Sequence, residues 1–136
     1  MNNAFLDTNV IIRHLLRDNP DQSSRSSRLV GSIADGIVDV AISDTVVFEA
    51  VFVLNQIYKI SRSEVADELT VLLNIPGISL NTKSEILATL RYWARQSPLS
   101  FADCYHLVTA ESLGLDMIYS FDKKMGRYPG VERIEP

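Results

Sequence analysis

Ala4-Phe5-Leu6-Asp7-Thr8-Asn9-Val10-Ile11-Ile12 is the stretch whose reading decides the fold. Three apolar, β-compatible residues run into an acid, a threonine and an asparagine, then into an apolar segment at helical spacing. The pattern reads as a buried strand entering a helix, with a carboxylate at the junction. In open parallel sheets the carboxyl ends of the strands are where ligands bind. A carboxylate held there costs solvation unless something positive sits beside it. Asp7 is therefore read as the first of four acids that meet at that edge, the others being Glu49, Asp103 and Asp122.

Outward from Asp7, the chain alternates between strand and helix signals. Helices are expected over about 9–17, then up to about 34, then about 44–58, with Val47, Val51, Leu54 and Ile57 of the third at helical spacing. Ser61-Arg62-Ser63-Glu64 opens a fourth helix that Ile75-Pro76-Gly77 stops, a fifth covers about 83–95, and Gln96-Ser97-Pro98 is a loop. Ser100 opens the sixth, with Gly114 just past its end. Strands are expected at about 38–42, 78–80, 116–119 and 131–134, and a short helical turn at about 123–127. Strands alternating with helices imply an α/β fold with a parallel sheet covered on both faces.

The 136 residues suit one domain, 1–136, large enough to bury a core without disulfides. A net charge of −4 argues against a protein that holds nucleic acid by a broad basic surface, but leaves room for a nuclease with a local basic rim. The one cysteine, Cys104, excludes an internal disulfide and a cysteine zinc site, and its neighbours give it the look of a small core residue. No stretch resembles a signal peptide or a membrane span, which makes a cytoplasmic protein the default.

Each acid has an alternative, purely structural role. Asp7 can cap the first helix. Asp103, three residues after Ser100, can complete a capping box. Asp122 can cap the turn after it. Glu49 can simply face solvent, although it lies in the first turns of its helix among Phe48, Ala50, Val51 and Phe52. The helix dipole there favours an anion by roughly 0.3–1 kcal/mol, less than the several kcal/mol that burying an unpaired charge costs. Taken together the four say more. Asp7 and Asp122 fall at strand carboxyl ends, Glu49 and Asp103 at helix starts, and an α/β sheet brings such positions to one edge. Four carboxylates at close range repel, and such a cluster persists when a divalent cation occupies it. All-oxygen ligands suit Mg²⁺ or Mn²⁺ rather than zinc. Arg13, Lys123, Lys124 and Arg127 are candidates for a basic rim that contacts phosphates, with a solvated charged face as the alternative. His14 reads as a surface residue, and His106 lies one helical turn after Asp103.

Phe5-Leu6-Asp7-Thr8-Asn9-Val10-Ile11 resembles the opening motif of PIN domains. Ser43-Asp44-Thr45-Val46-Val47-Phe48-Glu49 looks like the segment of their second acid, Ser100-Phe101-Ala102-Asp103 like that of the third, and Tyr119-Ser120-Phe121-Asp122-Lys123 like that of the fourth. The compact length and the section from Arg62-Ser63 to Pro76-Gly77 are most similar to the VapC-type toxins of toxin–antitoxin pairs. The resemblance implies a three-layer α/β/α sandwich with a central parallel sheet, and a Mg²⁺- or Mn²⁺-dependent endoribonuclease. Carried over by position, Asp7, Glu49, Asp103 and Asp122 are its catalytic and metal-binding acids, with Asn9 and Ser120 in support. It further implies an RNA substrate, a cognate antitoxin and a homodimer, while the lack of an apolar span argues for no membrane association. Two departures stand out: Ser120 where many relatives carry threonine, and the bulky Cys104-Tyr105-His106 after the third acid.

The rival readings are weaker. A phosphatase of the haloacid dehalogenase type wants a second Asp two residues after the first, where this chain has Asn9. A phosphorelay receiver needs an acid pair before its phosphoacceptor. A non-catalytic RNA-binding or interaction module gains nothing by placing four negative charges beside phosphates.

Overall fold

The structure, a computed structural model, describes residues 2–95 and 98–136. Gln96 and Ser97 of the expected loop lie outside the described residues. The chain forms two compact units, Met1–Lys83 and Ser84–Pro136.

In the first unit, strands β1 (Asn2–Phe5), β2 (Val38–Ala41) and β3 (Ile78–Ser79) form a parallel sheet in the order β1-β2-β3. The register sets Phe5 against Ala41 and Ala41 against Ser79, so the three strands end together. Helices α1 (Thr8–Leu16) and α2 (Pro20–Ala34) cross from β1 to β2. Helix α3 (Asp44–Phe52), a π-helical turn (Val53–Ile57) and α4 (Arg62–Leu73) cross from β2 to β3. Parallel neighbours need such crossovers, because a hairpin cannot join strands that run the same way. The strand expected before Asp7 is present but less buried than its sequence suggests. Leu6 is buried, while Phe5 is 62% exposed, since successive side chains along a strand point to opposite faces.

The second unit contains α5 (Lys83–Arg95, from its second residue onward), α6 (Phe101–Ser112), and strands β4 (Met117–Tyr119) and β5 (Glu132–Ile134), again parallel, linked by a 3₁₀ turn at Lys123–Arg127. Trp93 of α5 meets Phe101 of α6 edge to face at 5.7 Å, and Cys104 is fully buried, as its sequence neighbours suggest. Gly114 lies just past α6 with a φ of +75°, the left-handed turn that a C′ glycine supplies. The chain is thus an α/β protein whose strand pairs, among the described residues, are all parallel.

Two local readings change. The third helix does not run regularly to residue 58, since its last turn is π-helical. A π turn fits an extra residue and rotates the next side chains away from the original stripe. Ile57, spaced to continue the face of Val47, Val51 and Leu54, is 59% exposed as a result. His14 is half-buried rather than superficial, with Nδ1 2.9 Å from Ser27 Oγ. Burial, and then the charge of Arg17, hold its pKa below the usual 6.5.

Candidate active site

Asp7 is the N-cap of α1, directly after the buried Leu6, and its Oδ1 accepts from the Thr8 amide at 2.8 Å. Oδ2 makes no hydrogen bond or ion pair among the described residues. Thr8 is buried, and its Oγ1 has no hydrogen-bond partner. A buried hydroxyl left unpaired costs about 1–3 kcal/mol, so Thr8, next to Asp7 in the sequence, carries a local cost in stability. This residue escapes the sequence reading, where Thr8 is one of three polar residues in a row and nothing reveals its burial. Asn9 is exposed and lines a groove with Arg13, Gln22 and Arg25.

Glu49 stands on the second turn of α3 and is exposed, so the sequence's suggestion of an apolar surrounding does not hold. Successive helical residues point about 100° apart. Ala50 and Val51 therefore turn inward while Glu49 and Phe52 turn out. Asp7 and Glu49 both come after the carboxyl ends of strands in the first unit, β1 and β2.

In the second unit, Asp103 and Ser100 form a reciprocal capping box. The Asp103 amide donates to Ser100 Oγ at 3.0 Å and the Ser100 amide to Asp103 Oδ2 at 3.3 Å. Asp122 caps the 3₁₀ turn after β4, accepting from the Lys124 amide at Oδ1, 3.0 Å, while the Ser120 hydroxyl accepts from the Asp122 amide at 3.0 Å. Ser120 thereby fixes the approach of the backbone to Asp122, a supporting role that only its hydroxyl permits. The Lys124 ammonium lies 3.9 Å from Asp122 Oδ2, in an exposed pair that solvent screens. Lys123 is exposed, and so is His106.

The structural and the chemical roles of these acids are compatible. Asp7 and Asp103 each use one oxygen for the cap and keep the other. Asp122 gives one to its cap and the other faces a distant ammonium. Among the described residues, no three acids, histidines or cysteines are gathered as a metal cradle. Each of the four acids is by itself an oxygen donor, the type that suits Mg²⁺ or Mn²⁺ better than zinc.

Arg13, expected to reach outward to phosphates, is engaged within the first unit. Its Nη1 donates to Asp18 Oδ1 at 2.9 Å and Oδ2 at 3.0 Å, and its Nε to Gln22 Oε1 at 3.1 Å. The guanidinium in turn holds the Asp18 carboxyl below the usual carboxylate range. Among the described residues, no helix is long and apolar enough to cross a membrane.

No curated protein matches the chain. The PIN domain family matches residues 4–131, a span that takes in all four acidic segments. The chain belongs to the PIN domain family, whose members are typically nucleases.

Proposed function

We propose that this protein is a divalent-cation-dependent endoribonuclease, the toxin of a type II toxin–antitoxin pair. One observation carries the reading. The four acids all lie within the span that matches the PIN family, and two of them, Asp7 and Asp103, are held at helix starts with a carboxylate oxygen to spare.

The reaction is phosphodiester hydrolysis, in which a water oxygen bonds to phosphorus as the bond to the leaving ribose oxygen breaks. Asp7 and Asp103 are the leading ligands for Mg²⁺ or Mn²⁺, with Glu49 and Asp122 acting directly or through waters. When bound, such an ion supplies charge neutralisation at a non-bridging oxygen and a more acidic water. The chain's own part is orientation. The caps restrain the rotamers of Asp7, Asp103 and Asp122, and the Ser120 hydroxyl holds the backbone of Asp122. Asn9 adds a neutral polar group next to Asp7, able to donate to a phosphate oxygen.

The test is incubation of the purified protein with total RNA, in Mg²⁺ and in chelator, with mapping of the new ends. Cleavage that requires the cation and is lost in Asp7→Asn and Asp103→Asn supports the reading. RNA binding without cleavage supports a non-catalytic module instead. The toxin assignment rests on the VapC-type resemblance. Expression alone should slow growth, co-expression of a cognate antitoxin should relieve it, and normal growth with abundant soluble protein would argue against a toxin. An antitoxin tail that sets an arginine against the carboxylates would satisfy them, since guanidinium pairs well with carboxylate. A homodimer is part of the same reading and is tested by the solution mass.

A further inference from the structure

The geometry points to a phosphate-binding groove on the α1–α2 hairpin that takes the RNA backbone a few nucleotides from the cut. It rests on the ribonuclease reading and adds to it a surface outside the four acids. The groove has a volume of about 490 Å³ and is lined by Arg17, Pro20, Ser23, Ser24, Ser27 and Arg28.

Charge is the first argument. The chain is net acidic, yet the hairpin from Thr8 to Ala34 holds four of its 13 basic residues and only two of its 17 acids. Those two acids are engaged by the other two arginines: Asp18 by Arg13 at 2.9 Å and Asp21 by Arg25 at 3.4 Å. Arg17 and Arg28 are exposed and make no ion pair among the described residues. The groove therefore keeps two uncompensated guanidiniums, groups whose planar donor forks match phosphate oxygens. The neighbouring groove, beside Asn9, is the weaker candidate because both of its arginines are already paired.

The lining chemistry is the second argument. Three serines line the groove between the arginines: Ser24 is exposed, Ser27 half-buried and Ser23 buried, so Ser24 is the hydroxyl presented to a nucleic-acid backbone, for which hydroxyls and arginines are common partners. Ser27 is steadied by His14, and Ser23 Oγ accepts from the Asn19 amide at 3.4 Å. Glu68 is the acid close enough for His14 to feel, and it borders a different, mostly apolar groove with Leu15 and Leu54.

Backbone is the third. Arg17 ends α1 in the left-handed region, φ 56°, ψ 33°, where glycine or asparagine is at ease and a long side chain is not. An arginine kept at a strained position is a hypothesis of function. Asp7 and Arg17 stand at opposite ends of α1, so the groove lies roughly 15 Å along the helix from the first acid. That is a distance a bound single strand can span, and the contact reads no base.

The experiment uses the whole protein carrying Asp7→Asn, so that RNA survives, and measures the binding of a labelled single-stranded RNA by fluorescence anisotropy from 50 to 200 mM salt. Adding Arg17→Gln and Arg28→Gln should weaken binding on the order of tenfold at low salt, and should flatten log K against log salt by about 0.7 for each phosphate no longer neutralised. The weakening should be the same for RNAs of unrelated sequence. Circular dichroism checks that the variant is folded, and Arg28→Gln alone should give about half of the change in slope. A folded double variant with parental affinity and slope overturns the groove while leaving cation-dependent cleavage, measured separately on the parent, to stand. Inorganic phosphate that binds at the arginines without any drop in RNA affinity in the double variant shows a free-anion site and overturns the RNA assignment. A parent that neither binds nor cuts RNA overturns both readings.

Discussion

Asp103 has two roles, and its substitutions separate them. Its Oδ2 accepts the Ser100 amide at 3.3 Å, a long bond, and its charge sits in the first turn of α6, where the helix dipole favours it. Asp103→Asn keeps a side-chain oxygen for the Ser100 amide and gives up only the charge, a loss of about 0.3–1 kcal/mol. Asp103→Ala gives up the acceptor as well, adding about 1 kcal/mol of lost capping. At roughly 4 °C per kcal/mol for a chain of this size, the asparagine variant should melt within about 4 °C of the parent and the alanine variant a few degrees lower. Cleavage should not track that order. Both variants lack the anion proposed to hold Mg²⁺, so both should be inactive. The assays are a thermal melt and a Mg²⁺-dependent RNA cleavage time course on the same preparations. If Asp103→Asn cuts RNA at the parental rate, the carboxylate is a cap and nothing more. Activity that falls only in step with melting temperature would lead to the same conclusion.

Three other outcomes are expected. Gly77→Ala should destabilise by about 1–3 kcal/mol, because a Cβ there would meet Ile33 Cγ2 at 2.9 Å and the Ile33 and Val38 carbonyl oxygens at 3.1 and 3.2 Å; an unchanged urea midpoint would show that the backbone yields. Arg17→Gly should stabilise by about 0.5 kcal/mol, the relief of a left-handed side chain less the entropy of glycine, while weakening RNA binding; a lower melting temperature would refute the strain. Burial, reinforced by the 2.8 Å hydrogen bond that its hydroxyl donates to Glu111, pushes the Tyr128 phenol from 10.0 to about 12. The native state then holds the proton more tightly than the unfolded chain. The contribution to stability is complete below pH 10 and is lost as the pH rises towards 12. Ultraviolet titration of the tyrosinates should lose its highest step in Tyr128→Phe.

Much of the fold and part of the candidate site are legible in the sequence, because those features are local. Ser100 and Asp103 stand at the spacing of a capping box and form one, Gly114 comes after the periodic apolar residues of α6 and turns the chain left-handed, and the helical turn after Asp122 lies at the basic run that suggests it. Features that escape the sequence depend on distant residues or on fine geometry. No spacing rule reveals that Asp18 takes Arg13 out of the basic rim. The π turn that exposes Ile57 arises from one extra residue in a helical turn, which a stripe of Val47, Val51 and Leu54 does not foretell. The sequence also sets Glu49 among phenylalanines, and only the three-dimensional helix shows that it faces solvent. Burial of Thr8, with its hydroxyl unpartnered, is likewise invisible in a run of three polar residues.

The caps have a consequence for how the protein waits. Backbone amides, present in every folded copy, partly offset the negative charge of Asp7, Asp103 and Asp122 before any cation arrives. Chelation should then leave an ordered, silent protein rather than an unravelled one. Under the proposed cation dependence, a cell short of divalent ions would accumulate dormant molecules that need no refolding, and replenishment would arm them at the speed of ion diffusion rather than of chain folding.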